Sequence, residues 1–268
     1  REQQQAIAPE KGIMLVIAGA GTGKTKCLVE KTARLIRHKI AKPEEILMLT
    51  FSRKAAEELK ERIVADIGEK GSRITASTFH AFCYSLLREY HHEKTSSDTN
   101  IQPRVIEEAQ QVEILLRLIG DTLHHFYGFP AHLIVRMIAN WQGLSWERSE
   151  RLRVAGLHEN FLRLMDDYAA YKAAKHLFDF HDLMTRTIDI LRTQDEFRST
   201  ITQRFTYILV DEFQDTSPVQ WVNLYPLIEN SLAQGGSLFV VGDTKQAIYG
   251  FREADYTIMK ALEATHPF

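Results

Sequence analysis

Five short runs of apolar and β-branched residues punctuate the chain: Ile13–Ala18, Ile46–Phe51, Ile74–Thr78, Tyr207–Val210 and Leu238–Val241. They are nearly continuous rather than alternating, and each gives way within two residues to Gly, Ser, Asp or His. Such runs predict parallel strands covered on both faces, with functional residues at their carboxyl ends. Helical stretches, Thr25–His38 and Arg53–Ile67, separate the first three. The opening third therefore reads β-α-β-α-β, the order of a doubly wound α/β domain.

Between about Phe79 and Thr202 the period changes to that of a helix. Val105, Ala109, Val112, Leu116 and Ile119 make one apolar stripe. Leu157, Phe161, Leu164, Tyr168 and Tyr171 make a second, and Phe180, Leu183, Met184, Thr187, Ile188 and Leu191 a third. Each predicts an amphipathic helix with one buried face. His91–Asn100 is polar and reads as a loop or linker. β-type runs return at Tyr207. The expected architecture is an α/β domain from residues 1–90 and 203–268, with an all-helical insertion at 91–202.

Composition narrows the class. A chain of 268 residues with 44% hydrophobic and 25% charged residues is an ordinary globular one. Two cysteines, Cys27 and Cys83, form no CxxC pair, which excludes a disulfide scaffold or a cysteine-based zinc module and suits a reducing cytosol. No apolar run is long enough to cross a bilayer and no signal peptide is visible, so a cytoplasmic protein without a membrane partner is expected. A first residue of Arg rather than Met raises the expectation of a piece of a longer protein. The net charge of −2 conceals a split of +5 over residues 1–90 and −5 over 206–268. The split suggests different jobs within one site; chance surface variation is the plain alternative.

Three clusters carry candidate chemistry. Ala18-Gly19-Ala20-Gly21-Thr22-Gly23-Lys24-Thr25 follows the first strand and opens a helix, with Lys26 next. A Gly-rich turn lets backbone N–H groups converge on phosphate oxygens, and the helix N-terminus adds its positive end. Lys24 can reach the β- and γ-phosphates, and the Thr25 hydroxyl can ligate Mg²⁺. Second, Tyr207–Val210 runs into Asp211-Glu212-Phe213-Gln214-Asp215. Beside a phosphate loop, Asp211 is the expected metal ligand and Glu212 the base for an attacking water. An acidic cap on a helix at Thr216–Leu227 is the alternative. Third, the last strand leads into Gln246, Tyr249, Phe251 and Arg252. An amide there can sense a γ-phosphate beside flat rings and a cation; a solvent loop with two core aromatics is the alternative. His181-Asp182 lacks further ligands, and His158-Glu159 lacks the second His of HExxH, so neither marks a metal centre.

Together these segments resemble the N-terminal part of a superfamily 1 helicase of the UvrD/Rep/PcrA type. AGAGTGKT resembles motif I, Thr50–Leu59 motif Ia, Ser77-Thr78-Phe79-His80 the GTFH motif, Asp211–Asp215 motif II and Gly242–Arg252 motif III. Gln3 falls where the family's Q motif has its glutamine, and Asp179–Leu183 resembles DFDDL. The resemblance implies a P-loop NTPase of RecA-like fold (1A) with a helical subdomain (1B), using ATP and Mg²⁺. It implies adenine recognition by Gln3 and phosphate or metal binding by residues 18–26. Asp211 and Glu212 become metal ligand and base, and Gln246 couples the γ-phosphate to DNA. Phe51, Thr78, Phe79, His80, Tyr249, Phe251 and Arg252 become a single-strand track on which bases stack. Arg148, Arg151 and Arg153 are candidates for phosphate contact, a solvated basic face being the plainer reading.

The implied activity is ATP-driven 3′–5′ translocation on single-stranded DNA and unwinding at single-strand/duplex junctions, in a cytoplasmic, nucleoid-associated protein. Three departures qualify it. Arg53 replaces an Asn, His181 replaces an Asp, and Lys245-Gln246-Ala247 with Phe251-Arg252 leans towards RecB or AddA, motors of helicase–nuclease machines. Motifs IV to VI, which lie on a second RecA-like domain, are missing, so this portion alone is expected to be weakly active. A P-loop kinase is the distant alternative; it explains Lys24 and Asp211 but not the TFH and aromatic sets.

Overall fold

The computed structural model describes residues 7, 11–19, 21–94, 104–120 and 158–243. Gln3, Ala20, Arg148, Arg151, Arg153, Gln246, Tyr249, Phe251 and Arg252 lie outside the described residues.

The chain divides into two compact units, one of residues 1–83 with 187–268 and one of residues 84–186. The first holds a five-stranded sheet of β1 (Gly12–Ile17), β2 (Ile46–Thr50), β3 (Thr75–Thr78), β6 (Tyr207–Val210) and β7 (Ser237–Gly242). All pairs are parallel, in the order β1-β7-β6-β2-β3. β7 thus separates β1 from β6. β2, β6 and β7 are buried along their whole length, as their unbroken apolar runs demand.

Helices α1 (Lys24–Arg37) and α2 (Arg53–Ile67) follow β1 and β2, as their periodicity predicts. Ser52 caps α2 by accepting from the Ala55 N–H at 3.1 Å. Leu28 and Leu35 of α1, with Leu59 and Ile63 of α2, pack into one core with Met48, Leu209, Phe239 and Val241 of the sheet. The later helices are α7 (Asp195–Arg204) and α8 (Pro218–Ala233), and α3 (Phe79–Lys94) and α6 (Phe180–Thr193) cross from one unit into the other.

The second unit contains α4 (Glu108–Ile119) and α5 (His158–Lys175). Ile106, Ile114, Leu115, Ile119, Leu164 and Tyr168 form its own core. A two-stranded ribbon of β4 (Arg104–Val105) and β5 (Leu177–Phe178) pairs in parallel. Two details differ from the sequence reading. Val105 belongs to this ribbon, and α4 starts only at Glu108, behind a capping box from Glu107 to Gln110. The polar stretch from His91 is helical as far as Lys94, because α3 runs on through it.

Parallel pairing puts the carboxyl ends of all five strands along one edge of the sheet. Gly19, Phe51, His80, Asp211 and Asp243 all follow those ends.

Candidate nucleotide site

The loop after β1 is anchored by the Ala18 N–H, which donates to the Gly242 carbonyl at 3.0 Å and so continues the β1–β7 ladder. Thr22 Oγ1 then donates to the Gly19 carbonyl at 2.6 Å, closing the turn. Gly21 and Gly23 have φ values of 74° and 90°. A side chain would be strained at both, which explains the glycines. Gly23 is the N-cap of α1 and supplies no side-chain cap, and the first turn of α1 carries no acidic residue. The helix therefore presents its N–H groups and positive end to the loop, the arrangement that suits an anion.

Lys24 is the first residue of α1 and is only 8% exposed. Its ammonium donates to Glu212 Oε2 at 2.7 Å. An ammonium has three donors, so the same group can hold this carboxylate and phosphate oxygens together. Thr25, half-buried, follows it, while Lys26 is exposed and reaches 3.6 Å from Glu30 on the same helix.

The carboxylates come from the end of β6. Asp211 is buried, and the Asp211 N–H donates to the Leu49 carbonyl of β2 at 2.9 Å. The Glu212 N–H donates to Asp211 Oδ1 at 3.0 Å. Burial, and then the neighbouring Glu212 charge, push the Asp211 carboxyl up to about 6. Glu212 itself takes a left-handed conformation, φ 47° and ψ 47°. That is rare for a non-glycine residue and is found where geometry over-determines the backbone. It turns the chain sharply between Asp211 and the following single-turn helix Phe213–Asp215. The helix after it is capped by Ser217, which accepts from the Gln220 N–H at 3.3 Å, so the acidic residues are not its cap.

The donors at the end of β6 and the start of α1 suit Mg²⁺. A buried carboxylate held partly protonated by desolvation and a second negative charge is relieved by a cation, and Mg²⁺ needs only one or two protein oxygens besides phosphate and water. Thr25 and Asp211 match that donor set. Among the described residues no group of three or more His, Cys, Asp or Glu forms a metal cage, and the His181-Asp182 pair builds none.

The four described residues of the expected single-strand track differ in exposure. Phe51 directly follows β2 with 39% of its surface accessible. His80 is half-buried, and burial lowers its imidazole below the usual value. Thr78 is buried and caps α3 by accepting from the Ala81 N–H at 3.2 Å. Phe79 is 5% exposed, so its ring belongs to the core and offers no free face to a base. It opens α3 directly after β3.

Sequence reasoning missed three residues here. Gln214 is 2% exposed and links Glu212 to the Asp243 N–H. Asp243, buried just past β7, places a carboxylate oxygen 3.9 Å from where a Cβ on Gly19 would lie. Lys31 of α1 is 1% exposed and donates to the Ile7 carbonyl at 3.3 Å. Lys31 shows in the sequence as a polar residue on an otherwise apolar helix face, whereas Gln214 and Asp243 carry no such local signal.

The sheet order, the glycine loop with its buried lysine and the acidic end of β6 define a P-loop nucleotide-binding domain of RecA-like type. The UvrD/REP helicase N-terminal domain family model matches residues 1–267, and the chain belongs to that family. It is 31% identical over 277 aligned residues to the "ATP-dependent DNA helicase UvrD1" of Mycobacterium tuberculosis. It is 29% identical over 270 to the "ATP-dependent DNA helicase PcrA" of Staphylococcus aureus. Each alignment covers 99% of this chain, and the chain spans 35% and 36% of the length of these two relatives. Among the described residues no helix is long and apolar enough to cross a membrane.

Proposed function

We propose that the chain is the ATP-binding motor portion of a DNA helicase. The observation that carries this is the meeting of Lys24, Asp211 and Glu212 at the carboxyl edge of one parallel sheet, in a member of the UvrD/REP family. The loop 18–26 cradles the phosphates, with Gln3 on the adenine. Thr25 and Asp211 hold Mg²⁺, which neutralises charge on the phosphates. Glu212 orients and deprotonates the attacking water, while Lys24 keeps its carboxylate beside the γ-phosphate. Gln246 reports the γ-phosphate to the DNA.

Residues 1–90 and 203–268 make the motor and 91–202 the helical insertion. Phe51, His80, Tyr249, Phe251 and Arg252 make the single-strand track. Translocation runs 3′ to 5′ and opens duplex at junctions, together with a second RecA-like domain and in association with the nucleoid.

ATP hydrolysis by the full-length protein, with and without oligo(dT), tests the reading, Lys24→Ala being the control. Turnover stimulated by single-stranded DNA and lost in Lys24→Ala is expected. Turnover indifferent to DNA would instead favour a P-loop kinase or another NTPase.

A further inference from the structure

The side-chain amide of Gln214 joins two parts of the site that are remote in sequence. Its Nε2 donates to Glu212 Oε2 at 2.8 Å, the same oxygen that accepts from Lys24. Its Oε1 accepts from the Asp243 N–H at 2.9 Å, across 29 residues of chain. Gln214 is 2% exposed and Asp243 5%, so the bond between them is shielded from bulk water, whereas the Glu212 side chain is 38% exposed. The turn that carries Gln214 is fixed from behind, where Phe213 packs edge-on against Trp221 with ring centroids 5.6 Å apart.

The chemistry of the bridge is specific. A carboxylate at position 214 could accept from Asp243 but could not donate to Glu212, and a hydrocarbon could do neither. Asn carries the same groups on a stem one methylene shorter. Beyond Asp243 the sequence runs within nine residues through Gln246, Tyr249, Phe251 and Arg252.

We infer that Gln214 is a positioning residue that holds the Glu212 carboxylate in register with the carboxyl end of β7. It acts through Glu212, with which it shares a hydrogen bond. Because the proposed DNA contacts follow Asp243 within nine residues of sequence, a pull on that segment reaches Glu212 through the Gln214 amide. This rests on the ATPase reading above and adds to it the route by which DNA changes the rate.

The test uses the full-length protein and measures ATP turnover, with and without oligo(dT), beside the affinity for a fluorescent ATP analogue. For Gln214→Leu, analogue affinity and KM should stay within about twofold of wild type, while kcat falls about 10- to 100-fold, the cost of a misplaced reacting group. Stimulation by oligo(dT) should fall towards none. Gln214→Glu keeps the acceptor for Asp243 and regains a donor only when protonated. Its kcat relative to wild type should therefore rise as pH falls from about 8 to about 6. A residue that merely supports the fold would give no such acid rescue.

Wild-type kcat and stimulation in Gln214→Leu would overturn the inference while leaving the ATPase reading standing. So would a parallel loss of affinity and kcat, or a flat pH ratio for Gln214→Glu. A wild-type protein that hydrolyses no ATP with DNA present would overturn both.

Discussion

The ammonium of Lys24 and the carboxylate of Glu212 meet at 2.7 Å across 188 residues of chain. One belongs to the first turn of α1, the other to a left-handed residue just past β6. Their meeting brings the phosphate-binding group and the proposed base into a single hydrogen-bonded unit, with Gln214 on the same oxygen.

Replacing Glu212 by Gln keeps the shape and removes the proton acceptor. ATP turnover should fall about 10²- to 10⁴-fold with ATP still bound, the range typical for loss of a general base. Lys24→Ala should show the converse pattern, with nucleotide affinity lost first and the far-ultraviolet circular dichroism unchanged. Single-turnover hydrolysis and equilibrium binding of both variants separate the two roles.

Asp211 makes the fold pH-sensitive in a defined direction. Its native carboxyl is raised to about 6 from an ordinary 3.8, through burial first and the Glu212 charge second. The native state therefore holds this proton more tightly than the unfolded chain does. The contribution to stability is fully present below about pH 4 and is lost as pH rises through about 6, a swing of about 3 kcal/mol. Asp211→Asn should accordingly be more stable than wild type at about pH 8 in chelator, and the gain should vanish towards about pH 4. Urea unfolding across that range measures it. A gain that persists unchanged at acid pH would contradict the assignment.

In the second unit Lys172 is 4% exposed and donates to Asp179 Oδ2 and Asp182 Oδ2, each at 2.6 Å. Tyr168 Oη donates to the same Asp179 oxygen at 3.1 Å. Lys172 holds the Asp179 carboxyl below its ordinary value against the opposing effect of burial, whereas burial and Asp179 raise Asp182. Lys172→Met removes the cation from one buried and one half-buried carboxylate and should cost about 3–5 kcal/mol. Adding Asp182→Asn should recover part of that loss. Thermal unfolding of the single and double variants is the measurement.

Gly236 lies just before β7, where a Cβ would collide with the Thr206 carbonyl, which accepts from both the Ser237 N–H and the Ser231 hydroxyl. Backbone cannot yield there as a flexible side chain can. Gly236→Ala should destabilise by more than about 2 kcal/mol and lower soluble expression. Gly235→Ala, one residue earlier, isolates the alternative cost: its φ of 75° is strained, but its space is open apart from the end of Lys11. A larger loss there than at Gly236 would refute the steric account.

Strand positions were legible because β2, β6 and β7 are covered on both faces and carry unbroken apolar runs, and α2 matches its expected span of Arg53–Ile67. Val105 misled because its spacing to Ala109 fits a helix equally well; the ribbon with Phe178 is decided by a partner more than seventy residues away. Within the site, the motif residues at strand ends could be read from local pattern, since glycine loops and acidic strand ends have chemical signatures. Gln214 and Asp243 could not. Their bond exists only because β7 lies beside β6, and no local signal states which strands are neighbours. Phe79 illustrates the reverse limit, for a motif aromatic looks the same in sequence whether its ring is buried or exposed.

The strand order also sets a timetable for biosynthesis. β1, which carries the glycine loop, pairs only with β7 among the described strands, from Gly12↔Ser237 to Ile17↔Gly242. On a ribosome adding about 5–20 residues per second, the first strand emerges tens of seconds before its partner. Until then its edge has no ladder, and the loop lacks the Gly242 carbonyl that anchors Ala18. The loop after β1 is thus among the last features of the sheet to form, although its residues are translated before those of β2, β3, β6 and β7. A nascent chain interrupted before β7 therefore holds the proposed phosphate loop without its anchor on the neighbouring strand.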